Sequence, residues 1–224
     1  GIWRMMAALA GVHGDSKGLI FPFAVAPLQA VVVPIFRKDE ERKEVMDYSG
    51  KALAALKEAG IAAALDGSDK SPGYKYNFWE LKGVPVRVEI GPKEVKEGMA
   101  TLVRRTGKEK ASVGVNELAR AVEEQGRLLT GELRGRSKKI LEEAVKDASS
   151  KEGVRSVLDA KGIARAFFCS FGMDGKPCAD ELKDFTTGGK VRGRRIDGKE
   201  GKEQGKCVVC GKPSGTPTYI ARQY

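Results

Sequence analysis

The sequence predicts an α/β protein: a domain with a mixed sheet and flanking helices, followed by a small α+β domain built around cysteines. Ala30 to Phe36 is an almost unbroken apolar run, which is typical of a strand buried on both faces of a parallel sheet. A helical pattern and a second short apolar run follow it, which together indicate a strand–helix–strand unit. All four cysteines lie in the last quarter of the chain, which predicts the second domain.

Length and composition place the chain among soluble globular proteins. Its 224 residues fit one large domain or two smaller ones. The most apolar stretch, Phe21 to Phe36, is interrupted by three prolines and is shorter than the roughly 20 residues that a membrane span requires. We therefore expect no membrane segment. The net charge of +10 favours polyanionic partners. The alternative is that the excess of basic residues serves only to keep the protein soluble.

The elements of the first domain follow in order from local patterns. An apolar helix ends near His13, and a loop leads from it to the first strand. The helix after that strand stops at Gly60, and the second strand is parallel to the first because such crossovers are right-handed. Val84 to Ile90 alternates apolar and polar residues, so Arg87 and Glu89 share one face of a strand. The predicted elements are strands 30–36, 61–65, 84–90, 100–105 and 110–115, the last two as a hairpin, and helices 39–59 and 74–81.

The second half of the chain is less regular. Asn116 can cap a long helix that runs to Val145, with a bend or break expected at its glycines Gly126, Gly131 and Gly135. Residues 158–168 fit either a helix or a strand. The Gly- and Lys-rich residues 184–206 predict a loop.

The cysteines form a pattern suited to a metal. Cys169 and Cys178 make one pair, and Cys207 and Cys210, followed by Gly211, make a tight knuckle. Tetrahedral zinc takes four thiolates of this kind, and a site with four sulfur ligands has no open position, so its role would be structural. Reduced thiols without a metal and a disulfide or redox pair are the alternatives.

Residues 79–94 combine an aromatic side chain, carboxylates and cations around a strand. Arg87 can donate to the O6 and N7 edge of guanine, and Glu80 or Glu94 can accept from base amino groups, as in the reading of unpaired bases. An ordinary solvated strand face with ion pairs is the alternative. The only histidine, His13, is more typical of a structural than of a catalytic residue.

These segments together resemble the C-terminal part of the prolyl-tRNA synthetases of the archaeal and eukaryotic type, a family of class II aminoacyl-tRNA synthetases. The resemblance covers essentially the whole chain, in order. The matching segments are Gly1 to Pro22 with Arg4 and His13-Gly14-Asp15, Ala26-Pro27, Gln29 to Ile35, Ser71 to Lys75, Trp79 to Glu94, the four cysteines and Tyr219 to Tyr224.

The resemblance implies roles for individual residues. Arg4 occupies the position of the class II motif 3 arginine, which makes it a catalytic and ATP-binding residue. Anticodon guanines are bound in the family at the positions of Glu80, Arg87, Lys93 and Glu94. Cys169, Cys178, Cys207 and Cys210 match the ligands of a zinc-bearing domain, and the terminal carboxylate of Tyr224 would reach back to the catalytic domain.

The implied domain order has four parts. It consists of the end of a catalytic domain (1–27), an anticodon-binding domain (28–115), a connecting helix (116–152) and a C-terminal zinc-binding domain (153–224). The family's motifs 1 and 2 are absent, so we expect a fragment that does not activate proline by itself. The intact protein would be a cytoplasmic, homodimeric proline–tRNA ligase that uses ATP, Mg²⁺, proline and tRNA(Pro). A stand-alone accessory protein without catalysis, or a generic RNA-binding zinc protein, is the alternative.

Overall fold

The computed structural model describes residues 1–107, 109–196, 204–215 and 217–223. The chain divides into two compact units, Gly1–Ser137 and Lys138–Tyr224. Within the described part of the chain, every helix is too short or too polar to cross a membrane.

The first unit contains a five-stranded mixed sheet in the order β2-β1-β3-β4-β5. β1 is parallel to both β2 and β3, whereas β4 and β5 continue the sheet antiparallel. The predicted strand–helix–strand unit and the predicted hairpin are thereby confirmed, and so is the α/β fold class. The elements are α1 (Ile2–His13), β1 (Ala30–Pro34), α2 (Asp39–Glu58), β2 (Ala63–Leu65), α3 (Pro72–Leu81), β3 (Val86–Ile90), α4 (Pro92–Glu97), β4 (Met99–Arg104), β5 (Lys110–Gly114) and α5 (Leu118–Ala144), which continues past the boundary at Ser137.

The two faces of this sheet differ in character, and the difference positions the site. Val86, Val88 and Ile90 of β3 pack with α2 in the main core. The residues between them, Arg87 and Glu89, lie on the opposite face, where side chains of α3 cover the sheet. One strand thus carries both an apolar and a charged surface because its side chains alternate.

Two expectations for the first unit need correction. The sequence interpretation missed α4, a helix of six residues that is followed by Gly98 in a left-handed conformation. The expected break in the long helix is wrong, since α5 is one helix across all three glycines. Packing explains why residue 126 is a glycine, because a Cβ atom there would lie 2.2 Å from Cδ2 of Phe23.

The second unit has a four-stranded sheet in the order β6-β7-β11-β8 and a small ribbon of β9 and β10. The ambiguous residues 158–168 contain both alternatives, since α6 ends at Asp159 and β7 begins at Ile163. The predicted loop at 184–206 is wrong in part, because β8 pairs with β11 and Val191 packs on the core. Residues 197–203 lie outside the described residues. The elements are β6 (Val145–Asp147), α6 (Lys151–Asp159), β7 (Ile163–Phe167), α7 (Lys176–Phe185), β8 (Gly189–Gly193), β9 (Gly205–Lys206), β10 (Pro213–Ser214) and β11 (Pro217–Arg222).

Candidate nucleic-acid interface and metal centre

Arg87 is the centre of a charged cluster on the sheet face that α3 covers. Its Nε donates to Oε1 of Glu89 at 3.0 Å, and its Nη1 donates to Oε1 of Glu80 at 3.2 Å. The guanidinium also lies over the ring of Tyr76, with Cζ 3.9 Å from the ring centroid. The arginine side chain is only 13% exposed. Two carboxylates and an aromatic ring therefore fix the orientation of a planar hydrogen-bond donor.

Two exposed lysines extend the cluster into solvent. Lys17 Nζ lies 3.3 Å from Oε2 of Glu80, and Lys110 Nζ lies 2.8 Å from Oε2 of Glu89. Each carboxylate is therefore shared between Arg87 and one lysine, and the five groups carry one excess positive charge. Such an arrangement offers a fixed inner donor and two flexible outer cations.

The start of α3 explains how the cluster forms. Ser71 caps the helix by accepting the N–H of Tyr74, and Pro72 occupies the first turn. One turn further, Tyr76 packs against the apolar patch beside β1, so its ring supports Arg87. Burial and the negative charge of Glu89 raise the pKa of Tyr76 to about 12. The phenol is therefore neutral and serves as a stacking surface.

The structure places the other two predicted anticodon residues on α4, directly after β3. Glu94 accepts the backbone N–H of Gly91 at 3.0 Å and the hydroxyl of Thr101 at 3.1 Å, so its carboxylate holds the start of the helix. Lys93 is exposed, and its nearest carboxylate is that of Glu97 at 4.0 Å. Only Glu80 and Arg87 contact each other among the predicted four. Glu89 was not among the predicted site residues, although the alternation of β3 already placed it beside Arg87.

The loop after α1 forms the rim of the same cluster. Arg105, whose side chain is 2% exposed, donates to both carboxylate oxygens of Asp15 at 3.0 and 2.6 Å and to the carbonyl of Glu80. Hydrogen bonds from Arg105 hold the pKa of Asp15 at about 2. Gly18 has φ +129°, and a Cβ there would lie 2.5 Å from Cα of Leu81, so only glycine allows this approach. The docked loop brings Lys17 to Glu80.

His13 and Arg4 take no part in this cluster. His13 is buried at the end of α1, with Nε2 3.3 Å from the hydroxyl of Ser137, and burial lowers its pKa. Arg4 is exposed on α1 and has no side-chain partner among the described residues. Tyr224, its expected companion, lies outside the described residues.

The four cysteines of the second unit come together as the sequence predicts. Their Sγ atoms all lie within 4.8 Å of one another. Cys169 follows β7, Cys178 lies in the first turn of α7, and Cys207 and Cys210 lie in the turn between β9 and β10. The Zn–S bond length of about 2.3 Å separates the sulfurs of a tetrahedral site by about 3.8 Å, which is compatible with separations of no more than 4.8 Å in this cluster.

Gly211 allows the backbone of the knuckle to turn sharply after Cys210. Gly211 has φ +73°, and its N–H donates to the carbonyl of Cys207. The N–H of Lys212 lowers the pKa of the Cys210 thiol to about 7, whereas burial raises the pKa of Cys178 to about 12. All four are free thiols rather than disulfides. The arrangement can hold a soft divalent cation, which would favour the thiolate form of all four ligands.

Comparison with known proteins matches both units. The family model described as an anticodon binding domain matches residues 29–125, and the model described as the C-terminal region of prolyl-tRNA synthetase matches residues 151–224. The first range contains Arg87, Glu80, Glu89 and Lys110 of the charged cluster but not Lys17, and the second contains the four cysteines.

Relatives in sequence and structure agree with the family models. The proline–tRNA ligase of Thermofilum pendens is 41% identical over 100% of the chain and 46% of its own length, and that of Cenarchaeum symbiosum is 36% identical over 99% and 45%. A prolyl-tRNA synthetase of Giardia lamblia, solved with prolyl-adenylate, has a TM-score of 0.85 at 26% identity, over 99% of this chain and 47% of that one. The enzyme of Cryptosporidium parvum, solved with halofuginone and AMPPNP, has a TM-score of 0.86 at 28% identity, over 99% and 45%. The chain spans about half the length of the curated relatives it matches.

Proposed function

The chain belongs to the family of the prolyl-tRNA synthetases, and from this premise we propose that its first unit reads the anticodon of tRNA(Pro) within a proline–tRNA ligase. The observation that carries the proposal is the half-buried Arg87, which is fixed by Glu80 and Glu89 and stacked on Tyr76. A planar donor held in one orientation suits the recognition of a base edge.

The chemistry of guanine matches this cluster. Guanine presents O6 and N7 as acceptors, which Arg87 takes, and N1–H and N2–H₂ as donors, which a carboxylate such as Glu80 takes. Glu89 stays with the Nε of Arg87 and keeps its plane fixed while Glu80 turns to the base. A base with the wrong edge does not compensate for the loss of the contact between Arg87 and Glu80, which gives discrimination.

The two residues on α4 have different parts in this proposal. Lys93 is exposed and free to reach a second guanine or its phosphate. Glu94 already accepts two hydrogen bonds. In this proposal it accepts from a second base with the lone pairs that remain on its two carboxylate oxygens. Lys17 and Lys110 supply attraction for the RNA backbone and carry no sequence information.

The base-reading role is tested by titrating this chain with tRNA(Pro) and with a variant whose anticodon guanines are substituted. Arg87→Gln keeps amide donors but loses the charge, and we expect about 10- to 100-fold weaker binding of tRNA(Pro) with little change for the substituted tRNA. Arg120→Gln is the matched control, because Arg120 is an exposed arginine on α5 of the same unit. Equal loss for both tRNAs on Arg87→Gln would reduce Arg87 to a phosphate contact and favour generic RNA binding.

In the second unit we propose a structural zinc ion held by Cys169, Cys178, Cys207 and Cys210. When bound, the ion would link the segment after β7, the start of α7 and the knuckle. Four sulfur ligands leave no open coordination position for catalysis. The unit's own core is small and includes Cys178 and Cys207 among its buried residues. The metal therefore contributes a large part of this unit's folding energy, about 10 kcal/mol or more in apparent terms.

The zinc proposal is tested by metal analysis and limited proteolysis with and without a chelator. We expect one zinc per chain, and we expect chelation to expose residues 138–224 to protease while residues 1–137 stay resistant. Cys178→Ser should reproduce the effect of the chelator, whereas Ser170→Ala, a neighbouring change outside the ligand set, should not. A chain purified without zinc whose second unit resists protease would refute the proposal.

For the intact protein we propose the activity of its relatives, in which ATP with Mg²⁺ activates proline and the prolyl group passes to tRNA(Pro). Arg4 would contact the ATP, and residues 1–27, 28–115, 116–152 and 153–224 would be the functional segments. The apolar residues Ile2, Trp3 and Met5 of α1 are 74%, 82% and 69% exposed, which supports packing against protein outside this chain. The same exposure disfavours a stand-alone accessory protein. Cytoplasmic location and a homodimer are part of this proposal.

Adenylation by an intact enzyme tests the role of Arg4. Arg4→Ala should slow the formation of prolyl-adenylate far more than it weakens tRNA binding, because the charge acts on the reacting phosphate. A normal adenylation rate would remove Arg4 from the active site.

A further inference from the structure

A recess lies at the carboxyl ends of β1 and β2, where α3 begins. It has a volume of about 390 Å³ and includes Pro34, Ser68 and Ser71 in its lining together with three cations, Arg42, Lys70 and Lys75. The carboxyl ends of parallel strands are the usual place for ligands in sheets of this type. None of these residues belongs to the predicted anticodon-binding set.

Lys75 is the unusual member of this lining. Its residue is only 2% exposed, and Nζ donates to the carbonyl of Asp66 at 3.0 Å. Among the described residues Nζ has no other hydrogen-bond acceptor, so two of its three N–H groups have no protein partner. Burial lowers the pKa of Lys75, while the charges of Asp66 and Asp69 act in the opposite sense. A buried ammonium with unpaired donors costs free energy, which a ligand with oxygen acceptors would offset.

The rim adds groups that suit the same kind of ligand. Arg42 pairs with Asp69 at 2.7 Å and lies 5.5 Å from the ring centroid of Phe36, so its plane is held at the opening. The Ser71 hydroxyl accepts the N–H of Tyr74 and keeps its own hydrogen for donation. The three cations face two carboxylates, those of Asp66 and Asp69, which leaves one excess positive charge in the recess.

We propose that this recess binds a phosphate group of the RNA backbone, beside the bases that the Arg87 cluster reads. The proposal rests on the proposed function of the first unit. Lys75 and Tyr76 are consecutive on α3, so one helical turn contributes the buried ammonium to the recess and the stacking ring to Arg87. A phosphate offers several acceptor oxygens to Lys75 and Arg42 and carries the charge that the recess lacks.

The test measures the affinity of this chain for tRNA(Pro) at several salt concentrations. We expect Lys75→Met to weaken binding about 5- to 10-fold and equally for tRNA(Pro) and for the anticodon-substituted tRNA, and to reduce the slope of log K against log salt by about 0.7. Arg42→Gln, an exposed second variant, should act in the same direction to a smaller extent. Lys51→Met is the matched control, because Lys51 is an exposed lysine on α2, and it should leave the slope unchanged.

A single uncharged methylphosphonate, placed in turn at each position of an anticodon stem-loop RNA, identifies the phosphate. A methylphosphonate at one position should weaken binding of the RNA to the unchanged chain but should not weaken its binding to the Lys75→Met variant. Inorganic phosphate, titrated while amide chemical shifts of Ser68 and Ser71 are followed, distinguishes a site for the free anion. Phosphate binding together with an RNA slope that Lys75→Met does not change would overturn the RNA assignment.

Folding and function are separated by two further readouts. Lys75→Met removes a buried charge, so we expect unchanged or higher resistance to urea; a marked loss of stability would show that the lysine is structural and would refute the proposal. Arg87→Gln reports on base reading independently. If Arg87→Gln leaves the base preference intact while Lys75→Met lowers the salt slope, the proposed function fails and the phosphate site stands. If Arg87→Gln removes the base preference while Lys75→Met leaves the salt slope unchanged, the phosphate site alone is refuted.

Discussion

Replacing Arg87 by methionine should destabilise the first unit strongly, and replacing Glu89 as well should recover much of the loss. The side chain of Glu89 is only 6% exposed and accepts from Arg87 Nε at 3.0 Å. At that distance the gross attraction is about 5 kcal/mol for an effective dielectric constant of about 20. Removal of Arg87 leaves a buried carboxylate with Lys110 as its remaining cationic partner, so we expect a loss of about 3 kcal/mol in unfolding free energy.

The double variant Arg87→Met/Glu89→Met gives the discriminating comparison. Both charges are then replaced by apolar groups, and the desolvation cost of Glu89 disappears with its charge. We expect the double variant to be at least 1 kcal/mol more stable than Arg87→Met alone, which is a strong departure from additivity. Single losses that simply add, or a loss below about 0.5 kcal/mol for Arg87→Met, would show that the cluster behaves as an exposed ion pair and would refute the reasoning.

Urea unfolding followed by tryptophan fluorescence is the assay, because both tryptophans belong to the first unit. Trp79 donates from Nε1 to Asp66 at 2.7 Å and is half-buried, so its emission reports unfolding. Trp3 is already 82% exposed and contributes a nearly constant background. Trp3→Phe confirms the assignment of the signal.

Two further predictions concern the same unit. Gly126→Ala should lower the stability of the unit by about 1 to 3 kcal/mol, because the new Cβ would lie 2.2 Å from Phe23. Gly131→Ala should raise it by about 0.5 to 1 kcal/mol, because a Cβ there has nothing within 4 Å. Equal shifts in the two urea midpoints would contradict the packing argument. The pKa of Asp15 is lowered to about 2 by Arg105, so its contribution is present above about pH 4 and is lost as the pH falls toward 2. Because Asp15 is 39% exposed, we expect Asp15→Asn to cost at most about 1 kcal/mol at pH 6 and nothing near pH 2, as measured by urea unfolding at the two pH values.

The sequence by itself determined the local elements and the type of each site. Apolar runs and helical spacing are set by residues close in the chain, so β1, α2 and the hairpin of β4 and β5 could be predicted. The spacing of the cysteines predicted a common site because their residue type has few other uses in such a pattern. Resemblance to the family added Arg4 and Lys93, and it favoured base reading by Glu80, Arg87 and Glu94 over the solvated strand face that the local pattern left open.

Only the tertiary structure decided which side chains meet. Asp15 and Arg105 are separated by 90 positions, and Glu80, Arg87 and Glu89 come together only when α3 lies against β3. The close packing of Gly126 in α5 against Phe23 joins positions that are more than 100 residues apart in the chain. Burial of Lys75 likewise depends on where two strands end beside α3. Helix propensity and charge pattern carry no information on these contacts, because sheet register and the docking of loops set them.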